Sequence, residues 1–80
     1  MTDMLTKQRL NVAMDEKTGP YLMVPFEQLD ELRDLLDRNR VRYYVDEYII
    51  TFNDEPEIAT VRLGRGGDAD AMQRILDGAE

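Results

Sequence analysis

Residues 21–45 read Tyr21-Leu22-Met23-Val24-Pro25-Phe26-Glu27-Gln28-Leu29-Asp30-Glu31-Leu32-Arg33-Asp34-Leu35-Leu36-Asp37-Arg38-Asn39-Arg40-Val41-Arg42-Tyr43-Tyr44-Val45. This stretch decides the fold. Its middle places Phe26, Leu29, Leu32, Leu35 and Leu36 three, three, three and one residues apart, one apolar stripe at a helical period. Pro25 suits the first helical position, where a missing N–H costs nothing. Glu27, Asp30 and Glu31 fall in the early turns and Arg38 and Arg40 at the end, an order that complements the helix dipole. Asn39 is a natural left-handed residue with which to end the helix. The flanks behave differently. Tyr21-Leu22-Met23-Val24 is a short apolar run, predicted as a strand buried on both faces or nearly so. Val41-Arg42-Tyr43-Tyr44-Val45 is rich in β-branched and aromatic residues and is predicted as another strand. A helix between two strands can act as a right-handed crossover joining a parallel pair.

Upstream, Leu10, Val12 and Met14 alternate, which predicts a half-buried strand over residues 8–14, followed by a polar loop to Pro20. The order of residues 1–7 is left open. Downstream, Asp46-Glu47 is a candidate tight turn, residues 48–52 a strand, and Asn53-Asp54-Glu55-Pro56 a turn. The last strand, residues 58–63, sets Ala59, Val61 and Leu63 on one face and Ile58, Thr60 and Arg62 on the other. Asp68 can cap a second helix from Ala69 to about Asp77, with Ala71 or Met72, then Ile75 and Leu76 as its stripe and Gly78 at its end. The expected fold is α+β in a single domain over residues 1–80: a small, mostly antiparallel sheet with two helices packed on one face, in a partial ferredoxin-like (split β-α-β) arrangement.

The stretch from Gly19-Pro20-Tyr21-Leu22-Met23-Val24-Pro25 to Leu63-Gly64-Arg65-Gly66-Gly67-Asp68 resembles small stand-alone bacterial proteins of unknown function. The resemblance covers about three quarters of the chain. It implies a bacterial, cytoplasmic, single-domain protein and brings no reaction, cofactor or catalytic residue with it.

Composition narrows the function classes. The 80 residues carry 10 Lys and Arg against 17 Asp and Glu, a net charge of −7, and 42% are apolar, enough for a small core. With no cysteine there is no disulfide, thiolate metal site or cysteine nucleophile; with no histidine the usual general base is missing. An enzyme is therefore not expected, and no cofactor or metal. No segment approaches the roughly 20 apolar residues of a membrane span, and none resembles a signal-peptide core, so no membrane association and a cytoplasmic location are expected. The negative charge repels a phosphate backbone, which argues against nucleic acid.

Three groups of residues invite a functional reading. On the sheet face opposite Val41, Tyr43, Val45, Val61 and Leu63, alternation places Arg42, Tyr44, Thr60 and Arg62. Tyr and Arg are enriched in binding hot spots, so this face is a candidate surface for a protein partner or a homo-oligomer; the plain alternative is cross-strand stabilisation on a solvated face. The second group is Gly64-Arg65-Gly66-Gly67, between a strand and a helix. Its amides and Arg65 suit a small anion or a nucleotide phosphate, while Asp68 and Asp70 oppose one; the plain alternative is a strand-to-helix turn. The third is the acidic group Asp46, Glu47, Asp54, Glu55 and Glu57, which against Arg42 alone gives residues 41–60 a charge of −4. It lacks calcium-loop spacing and reads as solvated turn carboxylates.

Overall fold

The structure, a computed structural model, describes residues 1–47, 49–51 and 56–79. Strands β1 (Ala13–Asp15) and β2 (Gly19–Pro25) form a hairpin; a 3-10 turn (Phe26–Gln28) leads into α1 (Leu29–Arg38); β3 (Tyr44–Val45), β4 (Ile58–Arg62) and α2 (Ala69–Gly78) follow. The four strands make one sheet in the order β1-β2-β4-β3, with every neighbouring pair antiparallel. Both β2 and β3 are antiparallel to β4, so they are parallel to each other. Joined by α1, they lie on either side of β4 rather than next to each other. The edge beside β2 is held by β1, which precedes it in the chain.

Register assigns the faces. Leu22 is opposite Val61, Val24 opposite Ala59 and Val45 opposite Val61. Leu22, Val24, Ala59 and Val61 join Leu29, Leu32 and Leu36 of α1 and Met72 and Leu76 of α2 in one buried cluster. Both helices therefore cover the same face. The reverse face carries Tyr21 opposite Arg62, Met23 opposite Thr60 and Tyr44 opposite Arg62, and no described element crosses it. The Tyr21–Val24 run is consequently buried on one side only: Leu22 and Val24 are enclosed, whereas Met23 is 45% exposed.

Several expectations need correction. Pro25 ends β2 rather than opening a helix, and the first turn is 3-10. At three residues per turn that start rotates the stripe, burying Gln28 and Leu29 and leaving Phe26 exposed. Asn39 is not left-handed (φ −95°). Arg40 takes that conformation instead (φ +56°), with its N–H on the Asp37 carbonyl and the Val41 N–H on that of Leu36. This is the two-bond closure of a Schellman motif on a non-glycine residue. Asn39 serves the helix end through its side chain, donating Nδ2 to the Leu35 carbonyl.

Asp46-Glu47 does not reverse the chain. The Asp46 N–H bonds the Thr60 carbonyl, and Ile50 exchanges both backbone bonds with Ile58, so residues on both sides of the pair run along the same edge of β4. The rest of the strand predicted over residues 48–52 (Tyr48 and Phe52) and the turn residues Asn53, Asp54 and Glu55 lie outside the described residues.

The predicted strand over residues 8–14 shortens to β1 because Gln73 supplies a partner of its own. Its Oε1 accepts from the Val12 N–H (2.8 Å) and its Nε2 donates to the Leu10 carbonyl (3.0 Å), as a neighbouring strand would. Gln28, buried, does the same upstream, accepting from the Met4 N–H (2.9 Å) and donating to the Thr2 carbonyl (2.6 Å). Two side-chain amides thus lay residues 1–12 along the helix layer, where Met1 and Leu10 enter the core. Met14, at the sheet margin, is exposed. Replacing Gln73 with alanine leaves two half-buried backbone groups unmatched and is expected to cost about 1–3 kcal/mol. Gln73→Glu should not rescue it, because the Leu10 bond is lost and a charge is placed against Asp77, which now accepts from Gln73 at 3.0 Å. Amide exchange at Val12 and denaturant midpoints check this: Gln73→Ala should lose protection and stability, Gln73→Glu should lose stability while its Oε1 still accepts from Val12, and an unchanged Val12 rate in Gln73→Ala would remove the clamp from the account.

Candidate functional site: the uncovered sheet face

Arg62 is the centre of this face. Its Nε donates to both Asp46 oxygens (2.8 and 3.0 Å), its Nη1 donates to Thr18 Oγ1 (3.1 Å), and its guanidinium carbon lies 5.5 Å from the centroid of the Tyr21 ring. The hydrogen bond to Asp46, above all, makes Arg62 still harder to deprotonate than a free arginine. Asp46 is therefore a half-buried ion-pair partner, not the solvated turn carboxylate that its sequence context suggests. A hydrogen-bonded pair of this kind fixes side-chain geometry more than it adds stability.

Around Arg62 lie the other members of the face. Tyr44 is 52% exposed, and with Met23 it forms the apolar part of the surface. Thr60 points to this side by register yet is only 4% exposed, because it lies on an inner strand between Met23 and the edge at Asp46. Arg42, expected here as well, precedes β3 and lines grooves at the end of the sheet instead. Tyr44 and Arg62 are thus brought together directly; Thr60 sits beneath the surface and Arg42 stands apart. Sequence reasoning did not pick out Tyr21, Met23 or Thr18, which only strand pairing places beside Arg62.

The glycine turn meets the β1–β2 hairpin. Gly19 (φ +89°) lies so close to Gly64 that a Cβ would come within 2.2 Å of the Gly64 carbonyl oxygen. The same oxygen accepts from the Gly67 N–H at 3.0 Å. Arg65 donates Nε to the Lys17 carbonyl (2.8 Å), and Asp68 caps α2 by accepting from the Ala71 N–H (3.0 Å). Gly66 stands in open space. Arg65 and Arg62 together hold the hairpin turn against the end of β4.

Inside that hairpin, Asp15 Oδ1 accepts from the N–H groups of Lys17 (2.8 Å) and Thr18 (3.2 Å). These two bonds, helped by Arg62, hold the Asp15 carboxyl below its ordinary range. A carboxyl depressed on folding adds stability above its unfolded value, about 3.9, and loses it as pH falls through the lower folded value. The stability gap between the wild type and Asp15→Asn is therefore expected to stay level from pH 7 to about pH 5 and to shrink below about pH 4. Urea midpoints at three pH values check this, and a gap that widens in acid would contradict it.

Of the acidic group, Glu47 and Glu57 are exposed, and Asp54 and Glu55 lie outside the described residues. Among the described residues no three carboxylates converge, and no helix is long and apolar enough to cross a membrane. What these features define is a two-layer α+β protein with one sheet face uncovered. Comparison with family models, curated proteins and solved structures gave no significant match, so function is argued from the surface itself.

Proposed function

We propose that this chain is a small non-enzymatic interaction module that binds a protein partner, or a second copy of itself, through the uncovered sheet face. The observation that carries the reading is that face: an aromatic and a methionine, Tyr44 and Met23, half-exposed beside an arginine already locked in place by Asp46, Thr18 and Tyr21. Preorganised arginine and tyrosine lose little side-chain freedom on binding. Size supports it. The molecule is a slab 35 by 30 by 19 Å, and its broad side outlines roughly 800 Å², the share each partner contributes to a standard interface. At the face itself charge is balanced, because Arg62 and Asp46 neutralise each other there, and the net charge of −7 on each copy makes self-association stronger in added salt. A cytoplasmic setting belongs to the same reading, supported by a chain with no disulfide to form.

Sedimentation equilibrium tests it. The wild type should show a concentration-dependent dimer at micromolar concentrations, or bind a partner that protects Met23 and Tyr44. Met23→Glu with Tyr44→Ala should abolish the association and leave the melting curve intact. A wild type that stays monomeric and captures no partner at this face would end the proposal.

A further inference from the structure

A second feature lies on the helix side of the sheet and is independent of the uncovered face. Between the chain leading into β3 and the first half of α2 runs a groove of about 390 Å³. That is within the range of about 300–1,000 Å³ typical of small-molecule sites. Its walls are apolar, with Val41, Leu63, Met72 and Ile75 among them, and one cation, Arg42, lies on its rim. Arg42 has no hydrogen bond or ion pair among the described residues. The other two arginines near this end of the sheet are committed, Arg62 to Asp46 and Arg65 to the Lys17 carbonyl.

We propose that this groove binds a small molecule with an apolar chain ending in a carboxylate, the chain against Val41, Leu63 and Ile75 and the carboxylate on Arg42. A guanidinium with no partner among the described residues offers a planar fork that matches a carboxylate in two parallel hydrogen bonds. The apolar walls supply the area that a lone charge contact lacks. Gly66, in the lining and without a side chain, leaves the mouth open. The charge of the groove selects the anion. Asp68 also lines it, and Asp70 follows in the first turn of α2. A doubly charged phosphate meets both, whereas a single carboxylate held at Arg42 meets less repulsion. The ligand class is thus a monocarboxylate with a hydrocarbon body, and not the phosphate that a glycine-rich turn first suggests.

Amide shift perturbation with three probes tests this on the full chain. Sodium hexanoate should give saturable shifts at Leu63, Gly66, Gly67 and Ala71. Hexanol should bind at least about tenfold more weakly, since it keeps the chain and loses the charge. Inorganic phosphate should leave these amides in place. Arg42→Gln, at an exposed position, should melt like the wild type, weaken hexanoate about tenfold and leave hexanol unchanged. Hexanoate without saturation at these residues, hexanol binding as tightly as hexanoate, or Arg42→Gln binding like the wild type would each overturn the proposal.

Discussion

Gly19→Ala is expected to be the most damaging small substitution in the chain, costing on the order of 3–5 kcal/mol. Two effects coincide there. The left-handed backbone (φ +89°) costs an alanine about 1–2 kcal/mol by itself. The new Cβ also lands 2.2 Å from a carbonyl oxygen and 2.7 Å from the carbonyl carbon of Gly64, backbone atoms that cannot swing aside as a side-chain end can. A domain of 80 residues has roughly 4–12 kcal/mol to lose, so the variant should melt about 20–30 °C lower or fail to fold. Two controls separate the causes. Gly64→Ala shares the positive φ (+80°) but meets nothing within 4 Å, so it should show the backbone cost alone. Gly66→Ala meets nothing and has no positive φ, and should fall within about 0.5 kcal/mol of the wild type. Equal melting temperatures for the Gly19 and Gly64 variants would refute the close approach.

Leu22 and Met23, adjacent in sequence, are expected to differ almost as sharply. Leu22 faces the helices and is 1% exposed, so truncation to alanine leaves a cavity and should cost about 3–4 kcal/mol. Met23 faces away, and its alanine variant should stay within about 0.5 kcal/mol. Denaturant midpoints measure both. Equal losses would mean that the reverse face is covered too, which would remove the surface on which the proposed function rests.

The parts of the fold that were readable in the sequence are those set by local periodicity. The Leu29–Leu32–Leu36 stripe, the Asp68 cap and the alternation through Ala59 and Val61 each depend on neighbours a few residues away, and together they place both helices on one face. Features set by long-range pairing were not readable. Asp46-Glu47 resembles a turn because two acidic residues interrupt apolar runs. It continues an edge because Asp46 can point its carboxylate to Arg62 on a face that tolerates charge. Gln28 and Gln73 look like solvent-facing helix residues, and nothing local marks them as clamps for backbone 24–26 or 61–63 residues away. The site divides in the same way. Alternation found Tyr44 and Arg62, but of the contacts that lock Arg62, that with Asp46 lies across an edge read as a turn, and those with Thr18 and Tyr21 lie beyond the whole crossover.

Thiol labelling tests the uncovered face most directly, because a chain without cysteine gives no background. Single cysteines at Met23, Tyr44, Val24 and Ala59 would be treated with a thiol reagent under native conditions, at low and at high protein concentration. The account predicts rapid labelling at positions 23 and 44 in dilute protein, protection at 24 and 59 throughout, and slowing at 23 and 44 as concentration or added partner rises. Protection at 23 and 44 in dilute protein, or labelling there that no concentration or partner slows, would contradict it.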